Sequence, residues 1–181
     1  MKFVLKNSRT GEDFPEYFTT LEVVKTQTHL SFSFDCKNSM FYSAGNEYNS
    51  DIYTGDVCEA FICVGEDLSW YYEIEVAPNN CQFLFKMHNV SETLENIKLE
   101  QYPISKDDNF LVSEVVRYDN NYKVNFSVPL DKIGYDPNIG ILFNAYRIET
   151  EGGYTDRHLL AVNPTLCETF HAPHKFIKLD D

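Results

Sequence analysis

Leu30-Ser31-Phe32-Ser33-Phe34-Asp35 alternates apolar and polar side chains without a break. Successive side chains of an extended strand point to opposite faces, so this hexapeptide reads as a strand with one buried and one wet face. The same period of two returns along the chain. Cys58, Ala60, Ile62 and Val64 alternate with Val57, Glu59, Phe61 and Cys63, and Tyr72, Ile74 and Val76 alternate with Tyr71, Glu73 and Glu75. Tyr122, Val124, Phe126 and Val128 alternate with Lys123, Asn125 and Ser127, and residues 141–148 and 112–118 read as two further strands.

Turn-forming clusters separate these runs: Gly45-Asn46, Gly65-Glu66-Asp67, Pro78-Asn79-Asn80, Asp119-Asn120-Asn121, Asp136-Pro137-Asn138 and Gly152-Gly153. Short helical turns are expected at 129–133 and near 90–95. No segment carries a sustained 3.6-residue period. Many short strands at fairly even spacing predict an all-β fold, an antiparallel β-sandwich of immunoglobulin-like or jelly-roll-like form. No repeat, low-complexity tract or linker divides the chain, so residues 1–181 are read as one domain.

Hydrophobic residues make up 43% and aromatics 15%, which supports a packed core rather than disorder. The 28 acidic against 15 basic residues leave a net charge of −13, a field that repels phosphate backbones and argues against a nucleic-acid partner. The start, Met1-Lys-Phe-Val-Leu-Lys-Asn-Ser-Arg-Thr10, has too small an apolar patch for a signal peptide or anchor, and no run reaches transmembrane length. No membrane partner is expected. The cysteines, Cys36, Cys58, Cys63, Cys81 and Cys167, are odd in number and form no Cys-x-x-Cys pair. Cys58 and Cys63 fall on opposite faces of one strand. Free thiols in a reducing compartment are the expectation, hence a cytoplasmic protein as the chain stands, or an extracellular one if a leader has been removed.

Standard catalytic, phosphate-binding and EF-hand motifs are missing. His171 and His174 lie three apart on a loop without partners at metal-ligand spacing. Met40, Met87 and His88 offer haem ligation on residue type alone, against the plainer role of core filling. The strand acids are more informative. Glu59 shares its face with Val57, Phe61 and Cys63, and Glu73 and Glu75 share theirs with Tyr71, on what reads as the neighbouring strand. Carboxylates and rings on one face suit glycoside hydrolysis by paired acids, or sugar binding without turnover. The structural alternative for Glu59 is an ion pair with Arg147 or Lys123.

Five blocks, in order, resemble the family 9 carbohydrate-binding modules. They are Asp51-Ile-Tyr-Thr-Gly-Asp-Val-Cys-Glu-Ala-Phe-Ile62, Tyr71-Tyr-Glu-Ile-Glu-Val-Ala-Pro78, Phe126-Ser-Val-Pro-Leu-Asp-Lys-Ile-Gly134, Phe143-Asn-Ala-Tyr-Arg147, and Asn163-Pro164 followed by Phe170-His-Ala-Pro-His-Lys-Phe176. The resemblance implies a DOMON-like sandwich without catalysis that holds a mono- or oligosaccharide between two aromatic side chains. By motif, Tyr53 takes the first clamp position and Phe170 the second, where the family uses two tryptophans. Glu59 matches an acid that hydrogen-bonds sugar, Asn144 a strand asparagine, and Glu75 stands nearest to a sugar-contacting arginine of the family. His171, beside Phe170, joins the candidate set. The resemblance requires no cofactor; structural calcium is the one ion it brings in, and no residue here is matched to it. The closing loop, stiffened by Pro164 and Pro173, is expected to present Phe170 to solvent. The alternative for Tyr53 and Phe170 is that both cap the end of the sandwich, and Trp70 is expected to anchor the start of a strand.

Overall fold

The computed structural model describes residues 1–38, 40–91, 93, 97–151, 153 and 157–179. Among these residues, thirteen strands form two antiparallel sheets. The smaller sheet orders β1 (Lys2–Val4), β3 (Thr19–Lys25), β4 (His29–Lys37), β10 (Asn121–Pro129) and β9 (Val112–Arg117). The larger orders β2 (Lys6–Asn7), β12 (His158–Ala161), β11 (Ile141–Glu149), β5 (Val57–Val64), β6 (Trp70–Val76), β7 (Gln82–Asn89) and β8 (Leu99–Pro103). The short β13 (Ile177–Lys178) pairs with β11 as well. The predicted antiparallel sandwich is the fold of the chain. The turn expected at 129–133 is a hydrogen-bonded turn closed by Tyr135 N–H donating to Leu130 O at 3.0 Å, not a helix. The one expected near 90–95 and the Gly152-Gly153 turn lie partly outside the described residues.

The period of two explains the first core. Leu30, Phe32 and Phe34 of β4 and Val124, Phe126 and Val128 of β10 point inward from the smaller sheet. They meet Cys58, Ala60 and Ile62 of β5, Ile74 and Val76 of β6, and Phe143 and Ala145 of β11. Phe32 stacks on Phe126 at 5.2 Å and meets Phe143 edge-on at 5.9 Å, so rings interlock across the sandwich. The smaller sheet leaves its other face to water, as the burial alternation of β4 and β10 shows.

The larger sheet is different. β5 is buried at every position but its last, and β11 at every position but Leu142. A second apolar layer lies on its outer face, built from Val57, Phe61, Tyr71, Phe83, Met87, Tyr146, Ile148, Leu159 and Phe170. Segments before β5 and after β12 supply its cover, with Ile52 and Phe170 packed into it. Cys58 and Cys63 do part to opposite faces, Cys58 into the first core and Cys63 into the second layer. All five cysteines are free thiols, four of them buried.

One end of the sandwich is tied by a buried ion pair. Arg147, fully enclosed on the inner face of β11, is paired with Glu149. It also donates to Thr19 Oγ1 at 2.8 Å, Tyr17 O at 3.2 Å and Lys37 O at 3.0 Å, which joins the larger sheet to β3 and β4. Glu149 accepts a further bond from Asn38 Nδ2 at 2.7 Å. Nearby, Asp56 accepts from Thr150 N at 2.9 Å, Thr150 Oγ1 at 2.7 Å and Tyr42 N at 2.9 Å. Arg147 is thus not the partner of Glu59, because the two project from opposite faces of the larger sheet. Lys123 is not either, being paired with Asp35 at 3.3 Å. Removing one member of a buried, hydrogen-bonded pair leaves the other charge stranded. Arg147→Met is expected to cost about 3–5 kcal/mol in urea unfolding, with partial recovery when Glu149→Gln is added.

Candidate functional site

The register of β5 and β6 sets Glu59 directly opposite Glu75 and Phe61 opposite Glu73. All four side chains therefore leave the larger sheet on its outer face. The two strands expected to be neighbours are neighbours, and antiparallel pairing brings Glu59, Glu73 and Glu75 together, with carboxylate oxygens of all three within 4.8 Å of one another. They line a cavity of about 200 Å³ with walls from Tyr53, Phe61, Ile148 and Leu159. Arg157 and the loop residues Glu168, Thr169, Phe170 and His171 complete it. A wider groove of about 630 Å³ lies on the wet face of the smaller sheet. Its charged side chains are solvent-exposed ion pairs, Lys2 with Glu22 and Lys123 with Asp35, so it has the character of a solvated sheet surface.

Tyr53 sits on a single 3-10 turn, Ile52–Thr54, anchored by the buried Ile52. Gly55 follows because the backbone passes close by: a Cβ there would lie 2.8 Å from Tyr42 O and from Ala44 N. The Tyr53 ring meets Phe83 edge-on at 5.8 Å, and its backbone oxygen accepts from Arg157 Nη2 at 3.1 Å. Partial burial, and next the Asp51 carboxylate, push its hydroxyl up to about 12.

Phe170 departs from the expectation of a solvent-presented ring. It is 7% exposed and stacks on Tyr146 at 4.2 Å and 15°, while its backbone oxygen accepts from the Tyr146 hydroxyl at 3.0 Å. The prolines do shape the loop, but they press the ring into the second layer rather than lifting it out, and only part of it lines the cavity. Asn144 does not line the cavity at all. Its Nδ2 donates to Asn163 O at 2.8 Å, and its Oδ1 accepts from Ala145 N at 2.9 Å and Asn163 N at 3.0 Å. Asn163 Nδ2 in turn donates to Lys175 O at 2.8 Å. Asn144 is a clasp that holds the closing loop over β11, fully occupied by that task.

His171 lies in the site. Its Nδ1 is hydrogen-bonded to the Tyr71 hydroxyl at 2.8 Å, and its ring stacks on Phe61 at 5.2 Å. Its Nε2 stands 3.9 Å from Glu73 Oε1. Burial lowers it to about 4, so it is neutral near pH 7. Burial first, and then the Glu73 charge, hold Glu59 well above the usual carboxylate range, with Arg157 pulling the other way. Burial and the charges of Glu59 and Glu73 do the same to Glu75. Burial raises Glu73 to about 7. Glu59 Oε1 and both oxygens of Glu75 are buried without any hydrogen-bond donor. Arg157, which sequence reading did not single out, is among the described residues the one Lys or Arg side chain in the cavity wall.

The proposed haem ligands are dispersed in environment. Met87 is sealed in the second layer, Met40 is 54% exposed, and His88 is stacked on Trp70 at 3.9 Å. Trp70 anchors the start of β6, as expected. Among the described residues, Glu59, Glu73 and Glu75 are also the one group of side chains spaced to share a metal ion. Calcium takes six to eight oxygens, and three carboxylates on an otherwise ring-lined floor do not make that cage. Glu59, Glu73 and Glu75 do not by themselves supply that set of oxygens.

No family model matches the chain. It aligns with a candidate carbohydrate-binding protein from Bacteroides uniformis at a TM-score of 0.76, with 14% identity, over 98% of this chain and 84% of that one. It also aligns with a family 9 carbohydrate-binding module from Caldicellulosiruptor kristjanssonii. The glucose complex gives a TM-score of 0.60 at 11% identity, covering 97% of this chain and 82% of that one. The cellotriose complex gives 0.59 at 13%, covering 98% and 80%. The chain has the fold of the family 9 carbohydrate-binding modules. A curated relative from Arthroderma benhamiae, named as an extracellular protein, is 34% identical over 82 residues. That match spans 44% of this chain and only 36% of the relative.

A carboxyl whose pKa is higher in the folded chain than in the unfolded one favours folding below its unfolded value and loses that contribution as pH rises through its folded value. Glu73, raised from 4.5 to about 7, and Glu149, raised likewise to about 7, behave so. His171 has the opposite sign: lowered from 6.5 to about 4, it contributes above 6.5 and loses that as pH falls through 4. Above 6.5 the carboxylates act unopposed by His171. Melting temperature is expected to fall between about pH 6.5 and 8, and Glu73→Gln to flatten the slope. A wild-type profile that is level across this window would contradict the burial of unpaired acids.

Proposed function

We propose that this chain is a non-catalytic carbohydrate-binding domain that takes a mono- or oligosaccharide in the cavity on the outer face of the larger sheet. The observation that carries the reading is the meeting of Tyr53, Glu59, Glu75, His171 and part of Phe170 around one cavity, in a chain with the family 9 module fold. Tyr53 is the ring available to stack on the apolar face of a sugar; Glu59 and Glu75 accept from its hydroxyls. Phe170 backs the wall and is not a free second jaw. The reading needs no cofactor. The extracellular relative supports action outside the cell, where burial of four of the five thiols would shield them from oxidants.

Glycoside hydrolysis is less well supported. Its two carboxyl groups flank the scissile bond, one to protonate the leaving group and one to attack or to activate water. Glu59, Glu73 and Glu75 rise from one floor of one sheet, so a sugar would lie on them rather than between them.

Titration calorimetry with glucose and cellotriose tests the reading. Binding is expected to be weak, near millimolar, which is about −4 kcal/mol. Tyr53→Ala should weaken it at least about tenfold with little change in melting temperature. Phe170→Ala should instead cost about 3–5 kcal/mol of stability, as removal of a buried ring does. No heat with either sugar would remove the proposal, and unchanged affinity in Tyr53→Ala would remove Tyr53 from the site.

A further inference from the structure

Two sets of buried acids lie on the larger sheet and its flanking segments, and they are treated differently. Asp56 and Glu149 are each met by several donors, and Glu149 by the Arg147 guanidinium. Glu59 and Glu75, 2% and 1% exposed, line the cavity with three oxygens that accept nothing from the chain. Arg157 acts on Glu59 and Glu75 through its charge but donates no hydrogen bond to either. Arg157 directs Nη2 to the Tyr53 carbonyl, and His171 is engaged with Tyr71 and neutral near pH 7. Glu168 adds a further acid at the rim, paired outward with Arg9 at 2.7 Å. A neutral sugar can bring hydroxyl donors to such a floor but no charge that would favour the ionised form of these buried acids. The walls, in turn, make the cavity far larger than a bare ion needs.

We propose that the ligand is an amino sugar, with its ammonium group received by Glu59, Glu73 and Glu75 and its ring held against Tyr53. This rests on the sugar-binding reading and narrows it. An ammonium carries three N–H donors and a positive charge on one atom. It therefore answers both deficits together: the unfilled acceptors of Glu59 and Glu75, and the mutual repulsion that, with burial, keeps carboxyl groups whose oxygens lie within 4.8 Å from ionising together in the free chain. A ligand of this kind uses floor and walls at once, as neither calcium nor plain glucose does.

The test is calorimetry on the full chain near neutral pH with glucose, 2-amino-2-deoxyglucose, 6-amino-6-deoxyglucose, N-acetylglucosamine and calcium chloride alone. At least one amino sugar is expected to bind at least about tenfold more tightly than glucose. N-acetylation, which removes the charge and keeps the ring, should bring affinity down to that of glucose or below. Glu75→Gln, or Glu59→Gln as a second variant, should bring amino-sugar affinity down to that for glucose measured in the same variant. Equal affinity for glucose and both amino sugars would overturn the amine inference and leave the sugar reading intact. No binding of any sugar would overturn both. Calcium binding that is lost in Glu75→Gln, with no preference for an amino sugar, would assign the carboxylates to a metal and overturn the inference.

Discussion

Burial of the larger sheet on both faces is the constraint on which the rest of the molecule depends. In a two-sheet sandwich an outer face that meets water can carry any polar side chain at little cost. Here β5 and β11 are enclosed on both sides, so every residue they send outward must be apolar, hydrogen-bonded or unusually tolerated. The cover comes from outside the sheet. The segment after β12 leaves the edge of β11 and returns to that same edge as β13, and the excursion carries Phe170 and His171 over the outer face. The Asn144–Asn163 clasp and the stacking of Phe170 on Tyr146 hold it there. The cavity is what remains between this cover and the carboxylate floor.

Much of this was legible strand by strand. The alternation in β4, β5, β6 and β10 placed their side chains on the correct faces, including Glu59 with Phe61 and the parting of Cys58 from Cys63. Periodicity says which residues share a face; it does not say whether that face is covered. Phe170 was misjudged for this reason: a loop ring between prolines looks exposed until the second apolar layer beneath it is known. The clasp made by Asn144 leaves no local signal because its partner, Asn163, is nineteen residues away and reaches it only through the pairing of β11 and β12. Arg157 left no local signal, since its place in the cavity follows from β12 lying next to β11. The register between β5 and β11 sets Cys58 opposite Arg147, which sends Arg147 inward and away from Glu59. Register is a property of two strands together, and neither strand alone encodes it.

The two buried acid groups give an internal comparison that bears on function. The same fold, within one sheet and its flanks, surrounds Asp56 and Glu149 with donors and leaves Glu59 and Glu75 without them. A chain able to satisfy the first pair so fully is not short of donors in general. Tyr122 Oη and the Nε atoms of Arg147 and Arg157 are also buried without a partner, but among the described residues the orphaned carboxylate oxygens are gathered in one place, a cavity with an aromatic wall. Departures of this kind concentrate where a protein binds something, because a site made self-sufficient would have no unmet demand to offer a ligand. In the proposed site, polar and charged contacts on the floor would leave less of the affinity to come from stacking on Tyr53.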